Sequence, residues 1–176
     1  MKTSISIVVL LAAFFVGVVP AAADEAPIQL SIFEPLQLQP AEKSIKGLKL
    51  SLFYGKNANM KGLEWSLIAG HNTGSLEGVQ WGLVNITDGS ALGWQAGLVN
   101  LANSDFTGYQ LGFFNRTKGD TKAFQWGWVN VAERGGGLML GLVNYAKTMD
   151  GLQIGLVNVI TSKDNLPVLP IVNWTF

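Results

Sequence analysis

An eight-residue unit recurs along this chain, and its spacing limits the fold more than any other feature. Gly78-Val79-Gln80-Trp81-Gly82-Leu83-Val84-Asn85 is followed by Gly93-Trp94-Gln95-Ala96-Gly97-Leu98-Val99-Asn100 and Gly108-Tyr109-Gln110-Leu111-Gly112-Phe113-Phe114-Asn115. Further copies run from Ala123 to Asn130, Gly137 to Asn144 and Gly151 to Asn158, so the asparagines are 15, 15, 15, 14 and 14 residues apart. Weaker copies cover Gly47 to Tyr54, Gly62 to Ala69 and Leu166 to Asn173, and Ile28 to Phe33 reads as a truncated first copy. Self-similarity at a fixed short period marks an architecture built by repeating one structural unit.

Within the unit, positions 2, 4 and 6 are apolar in every strong copy, while positions 3 and 5 are polar or small in nearly all of them, Met139 being the exception. Alternation with period two is the pattern of a strand with two unlike faces, and a helix would scatter the same residues around its circumference. The connectors, such as Thr87-Asp88-Gly89-Ser90 and Thr117-Lys118-Gly119-Asp120, carry the residues that reverse a chain. Nearly all charge lies in such segments. Lys49 and Glu64 are the main exceptions, at equivalent positions of consecutive units, where neighbouring strands would pair them.

The second face holds glutamine and glycine with almost no charge, which suits a water-facing surface poorly. Placing the apolar face against lipid removes that difficulty and gives the apolar-out, polar-in pattern of a transmembrane barrel. The expected fold is therefore all-β, an antiparallel up-and-down β-barrel of about ten short strands built from repeats of about 15 residues. Its lumen would be lined by Lys49, Glu64, Gln80, Gln95, Gln110, Gln125 and Gln153. Its lipid face would carry Trp81, Leu83, Trp94, Leu98, Leu111, Phe113, Trp126, Trp128, Leu140, Leu142, Ile154 and Leu156. The chain ends at Phe176 on an amphipathic strand, which resembles the assembly signal of outer-membrane barrels. Pro167 and Pro170 fit that strand badly, because proline cannot donate to a ladder.

The alternative is a β-solenoid, in which stacked coils bring identical residues together and an asparagine column satisfies backbone groups. In that alternative leucine, isoleucine and tryptophan fill the interior. Two features weigh against it: the drift between 14- and 16-residue steps, and the variable bulk at position 4 (Trp81, Ala96, Leu111, Trp126).

Residues 1–23 read as a cleavable signal peptide: Lys2, an apolar run from Ile5 to Val19, Pro20, then Ala21-Ala22-Ala23. Residues 24–176 then form a single repeat-built domain. With 12 basic and 12 acidic residues the formal net charge is zero, which removes the electrostatic case for nucleic acid. There are no cysteines and one histidine, His71, which reads as a loop residue beyond a strand end. A catalytic triad or zinc site is thereby disfavoured, and no catalytic residue, cofactor or metal is expected.

The unit Gly-Leu-Gln-Ile-Gly-Leu-Val-Asn at 151–158, its copies, and the closing Leu-Pro-Val-Leu-Pro-Ile-Val-Asn-Trp-Thr-Phe together resemble a family of bacterial surface-repeat proteins of uncharacterised function. The resemblance covers roughly residues 27–176 and implies a cell-envelope location, but no reaction. The expected function is a non-enzymatic outer-membrane barrel or cell-surface protein, structural or displaying loops, with at most weak pore activity. Membrane lipid and the outer-membrane assembly machinery are its expected partners. The alternative is a secreted or periplasmic β-repeat adhesion or interaction module.

Overall fold

The computed structural model describes residues 25–176, so the expected signal peptide at 1–23 lies outside the described residues. Eleven strands follow one another without a helix among the described residues: β1 Glu25–Phe33, β2 Leu36–Gln37, β3 Ser44–Ser51, β4 Tyr54–Asn57, β5 Met60–Asn72, β6 Leu76–Thr87, β7 Ala91–Ala102, β8 Phe106–Trp126, β9 Val129–Leu140, β10 Val143–Ile160 and β11 Val168–Thr175. They form one sheet in the order β11-β10-β9-β8-β7-β6-β5-β3-β1-β2, with β4 beside β5.

The pairing of consecutive units is parallel, and this overturns the barrel. Gly62 faces Gly78, Glu64 faces Gln80 and Trp65 faces Trp81; one coil further on, Gly78 faces Gly93 and Gln80 faces Gln95. Each unit closes one coil of a β-solenoid of about nine turns. At roughly 4.8 Å between neighbouring strands this gives a rod on the order of 40 Å long. Only the ends are antiparallel, where β2 folds back on β1 and β11 on β10. Both end strands carry or adjoin prolines, Pro35 before β2 and Pro167 and Pro170 at β11, which blunt edges that would otherwise recruit another strand.

The two features that weighed against a solenoid have physical answers. Step drift is taken up as register shifts, between Ser66 and Ala69 against β6 and between Thr117 and Asp120 against β9. Bulk at position 4 strains nothing because that position faces outward: Trp81 is 62% exposed and Trp126 58%. The solenoid is thus filled in the opposite sense from the alternative described above. Gln80, Gln95, Gln110, Gln125, Gln153 and the asparagines are fully buried, and the leucines and tryptophans lie outside. An apolar strip completes the interior, with Ile45, Met60, Leu76, Ala91 and Phe106 stacked in one column.

Candidate functional site

Three features follow from this filling: two amide ladders, a buried charged insert near the N-terminal end, and a continuous apolar edge.

The asparagine closing each unit points inward and donates along the rod. Asn85 Nδ2 donates to Asn100 Oδ1 at 2.8 Å, Asn100 to Asn115 at 2.7 Å, and Asn115 to Asn130, Asn130 to Asn144 and Asn144 to Asn158 at 2.8 Å each. The same Nδ2 atoms reach a backbone carbonyl of the next coil, Ala96 O from Asn85 and Leu111 O from Asn100. Glutamines at position 3 form a second ladder, with Gln95 donating to Gln80, Gln110 to Gln95 and Gln125 to Gln110. Paired amides are what allow a polar interior to exist, since an unpaired buried amide costs about 1–3 kcal/mol.

Glycine at position 5 makes room for the asparagines. A Cβ on Gly97 would strike the Gly82 carbonyl oxygen and come within 2.8 Å of Asn85 Nδ2. The opening glycine of the unit is held by backbone geometry instead. Gly93 has φ of 139°, and a Cβ there would run into the Gly78 carbonyl oxygen.

Two coils depart from this scheme, and three inward positions change together in them. Position 3 becomes Lys49 and Glu64, position 5 becomes Ser51 and Ser66, and the asparagine column is occupied by Gly55 and Gly70. Gly70, rather than Ala69, stands opposite Asn85, because one extra residue precedes it in the unit. Side chains at the two glycines would collide with Ser51 and Lys49, and with Glu64 and Ser66. The glycines therefore leave space for an ion pair in which Lys49 Nζ lies 2.8 Å from Glu64 Oε1, both side chains being wholly inaccessible. Burial pushes the Lys49 ammonium below the ordinary lysine value, and attraction and hydrogen bonding to Glu64 offset only part of that. Asn72 completes the group, its Nδ2 donating to Glu64 Oε2 at 2.8 Å and its Oδ1 lying 3.5 Å from Lys49 Nζ.

The residues expected to line a lumen, Lys49, Glu64, Gln80, Gln95, Gln110, Gln125 and Gln153, are all buried in the solenoid interior, where their own side chains fill the space. Of those expected on the apolar face, Trp81, Leu83, Trp94, Leu98, Phe113, Trp126, Trp128, Leu142 and Leu156 are exposed, while Leu111, Leu140 and Ile154 are half-buried among them. Phe176, expected as an assembly signal on a barrel strand, follows β11, the strand that caps the rod, and is 94% exposed.

Position 7 extends this face with Phe53, Ile68, Val84, Val99, Phe114 and Val129, so four neighbouring columns are apolar. Aromatic contacts run along it, Trp94 to Tyr109 at 6.2 Å and Phe113 to Trp128 at 4.7 Å between ring centres. A shallow groove lies between two coils there, lined by Leu111, Phe113, Trp126 and Trp128. The charges stand in other columns, as in the Lys61–Glu77 pair at 2.8 Å between β5 and β6 and the Arg134–Asp120 pair between β9 and β8.

His71 lies within β5 rather than in a loop, which corrects its sequence assignment. Its Nδ1 is 2.8 Å from the Tyr54 hydroxyl and its Nε2 is 2.8 Å from Asp88 Oδ2. Burial, with Glu34 and Asp88 nearby, pushes the Tyr54 phenol up, the reverse of what an activated nucleophile needs.

The class these observations define is a parallel β-solenoid with an amide-filled interior and an amphipathic exterior. No protein family, curated protein or solved structure matches the chain.

Proposed function

We propose that this protein is a non-enzymatic β-solenoid adhesion module that lies on a lipid surface, with its apolar edge at the boundary between headgroups and acyl chains. The carrying observation is the apolar edge itself. Positions 2, 4, 6 and 7 from Leu48 to Val157 contain no charged residue, and the exposed side chains include Leu83, Trp94, Leu98 and Trp128. A contiguous surface of this size on a monomer marks an interaction site.

Lipid fits this edge better than a shaped protein partner does. Position 4 reads Trp65, Trp81, Ala96, Leu111, Trp126, an uneven profile that fluid chains accommodate and a rigid mate must match. The backbone beneath is paired coil to coil, so hydrocarbon meets few unsatisfied polar groups. Charges stand in separate columns that border the apolar ones, such as Lys46, Lys61 and Glu77, as the polar margin of a structure lying in the interface plane requires. Zero net charge implies adhesion by apolar burial rather than attraction to anionic headgroups. The apolar run from Ile5 to Val19, read as a secretory signal, supports an exported location where such a surface would be met.

Sedimentation of the purified protein with phosphatidylcholine vesicles tests this. Binding is expected, with a blue shift of tryptophan emission and little change between low and high salt. Leu83→Glu with Leu98→Glu should weaken it by at least about tenfold, since each leucine loses roughly 1.5–3 kcal/mol of burial. A protein that stays in the supernatant as a monomer overturns the reading. A stable dimer that ignores vesicles assigns the edge to a second copy instead.

A further inference from the structure

Lys49, Glu64 and Asn72 form a dry three-residue group whose geometry exceeds what an ion pair requires. Glu64 bridges the other two, with Oε1 at 2.8 Å from Lys49 Nζ and Oε2 accepting from Asn72 Nδ2 at 2.8 Å. Lys49 Nζ lies 3.5 Å from Asn72 Oδ1, and all three residues are at most 2% exposed. We propose that this group is a self-crosslinking site, in which Lys49 Nζ forms an amide bond to Asn72 Cγ, ammonia leaves, and Glu64 carries the protons.

The step needs nothing beyond the three side chains. Glu64 takes a proton from the Lys49 ammonium, leaving an amine and a carboxylic acid, both uncharged in a dry interior. The Nζ lone pair attacks Asn72 Cγ and the negative charge passes to Oδ1, while the Glu64 acid, which touches Nδ2, holds its proton for the leaving nitrogen. Collapse of the tetrahedral centre re-forms the carbonyl and breaks the Cγ–Nδ2 bond. Nδ2 departs as ammonia with the proton that Glu64 first took, and the proton that Nζ sheds on bonding stays on Glu64, which ends as the neutral acid. An amine and a primary amide become a secondary amide and ammonia, with no oxidation or reduction.

Three observations carry the inference. First, the amine lies 3.5 Å from the amide oxygen and one carboxylate touches both groups, an arrangement that converts a slow encounter into a local reaction. Second, burial depresses the Lys49 ammonium and so favours the nucleophilic amine. Third, the repeat is altered at position 3, position 5 and the asparagine column together, with Gly55 and Gly70 holding the space open. Asn57 occupies the same column as Asn72 one coil earlier, but its Nδ2 donates to Asn59 O at 2.9 Å and it does not share the carboxylate. The bond would staple two successive coils at the N-terminal end of the rod, and it is independent of whether the apolar edge meets lipid.

Mass spectrometry of the intact purified protein tests this directly. The processed chain should be lighter than its sequence by one ammonia, and proteolysis should yield a Lys49 peptide joined to an Asn72 peptide. Glu64→Gln should restore the full sequence mass in a chain whose circular dichroism is unchanged. Asn72→Asp should close the same bond by losing water, reaching the mass of the crosslinked wild type. Wild-type protein at full sequence mass, with Lys49 and Asn72 on separate peptides after prolonged incubation, overturns the proposal. Crosslinking of Glu64→Gln at the wild-type rate overturns the role given to Glu64. Should that variant fail to fold, the wild-type and Asn72→Asp masses still decide the matter.

Discussion

Gln153 Nε2 donates to the sulfur of Met139 at 3.4 Å, where the coils nearer the N-terminus pair amide with amide. The methionine interrupts the glutamine ladder, and Gln125 Oε1 and Gln153 Oε1 are left without partners among the described residues. Met139→Gln should join the two segments, donating to Gln125 Oε1 and accepting from Gln153 Nε2. Satisfying a buried acceptor and replacing a thioether contact by an amide bond should add about 1–2 kcal/mol. The midpoint of thermal unfolding should then rise by roughly 2–8 °C. A lowered midpoint would mean that the space around Met139 is shaped for the thioether.

How much of this was legible in the sequence depends on the residue. The strand character of the unit followed from period-two alternation, and burial of Gln80 and Gln95 agrees with the argument that an uncharged amide face suits enclosure. Chain direction did not follow, because a parallel coil and an antiparallel meander share that period. The telling signal was the contrast between columns. Position 8 reads Asn in six strong copies while position 4 ranges from Ala96 to Trp126. An identical residue recurring at each step is what a ladder of like neighbours requires, whereas an outward position needs only to be apolar. The role of Gly70 was hidden, since the extra residue after Ser66 shifts it into the asparagine column only once the coils are stacked. His71 was misplaced for the same reason: the strand runs through the corner and continues to Asn72.

The middle of the asparagine ladder should be its most sensitive point. Asn115 accepts from Asn100 at 2.7 Å and donates to Asn130 Oδ1 at 2.8 Å and to Trp126 O at 3.0 Å. Asn115→Ala strands a buried donor on one side and an acceptor on the other, so a loss of about 3 kcal/mol is expected in urea unfolding. Asn115→Asp should cost more, since it removes the donor and buries a charge. Equal stability of the alanine variant and wild type would show that the ladder is incidental to the fold.

Gly97 tests whether the interior tolerates one more carbon. A Cβ there meets the Gly82 backbone and the Asn85 amide, neither of which is the free end of a flexible chain. Gly97→Ala should lose about 1–3 kcal/mol through overpacking, measured as a lowered urea midpoint with an unchanged slope. Gly89→Ala provides no clean control, because its Cβ would meet the Gly74 backbone.

Acid should expose the chain of contacts outside the interior. Burial alone would raise the Asp88 carboxyl, but hydrogen bonds from Asn103 and His71, with Lys118 nearby, outweigh it and hold the group below the ordinary carboxylate range. A depressed folded-state pKa contributes stability that is present above the unfolded value of about 3.9 and is lost as pH falls through the lower folded value. Asp88→Asn should therefore lower the neutral thermal midpoint slightly and flatten its acid limb, so that variant and wild type converge below about pH 4. The side chain is 40% exposed, so the effect should also shrink in high salt. An acid limb identical in wild type and Asp88→Asn would show that the Asp88 contacts do not set the acid dependence.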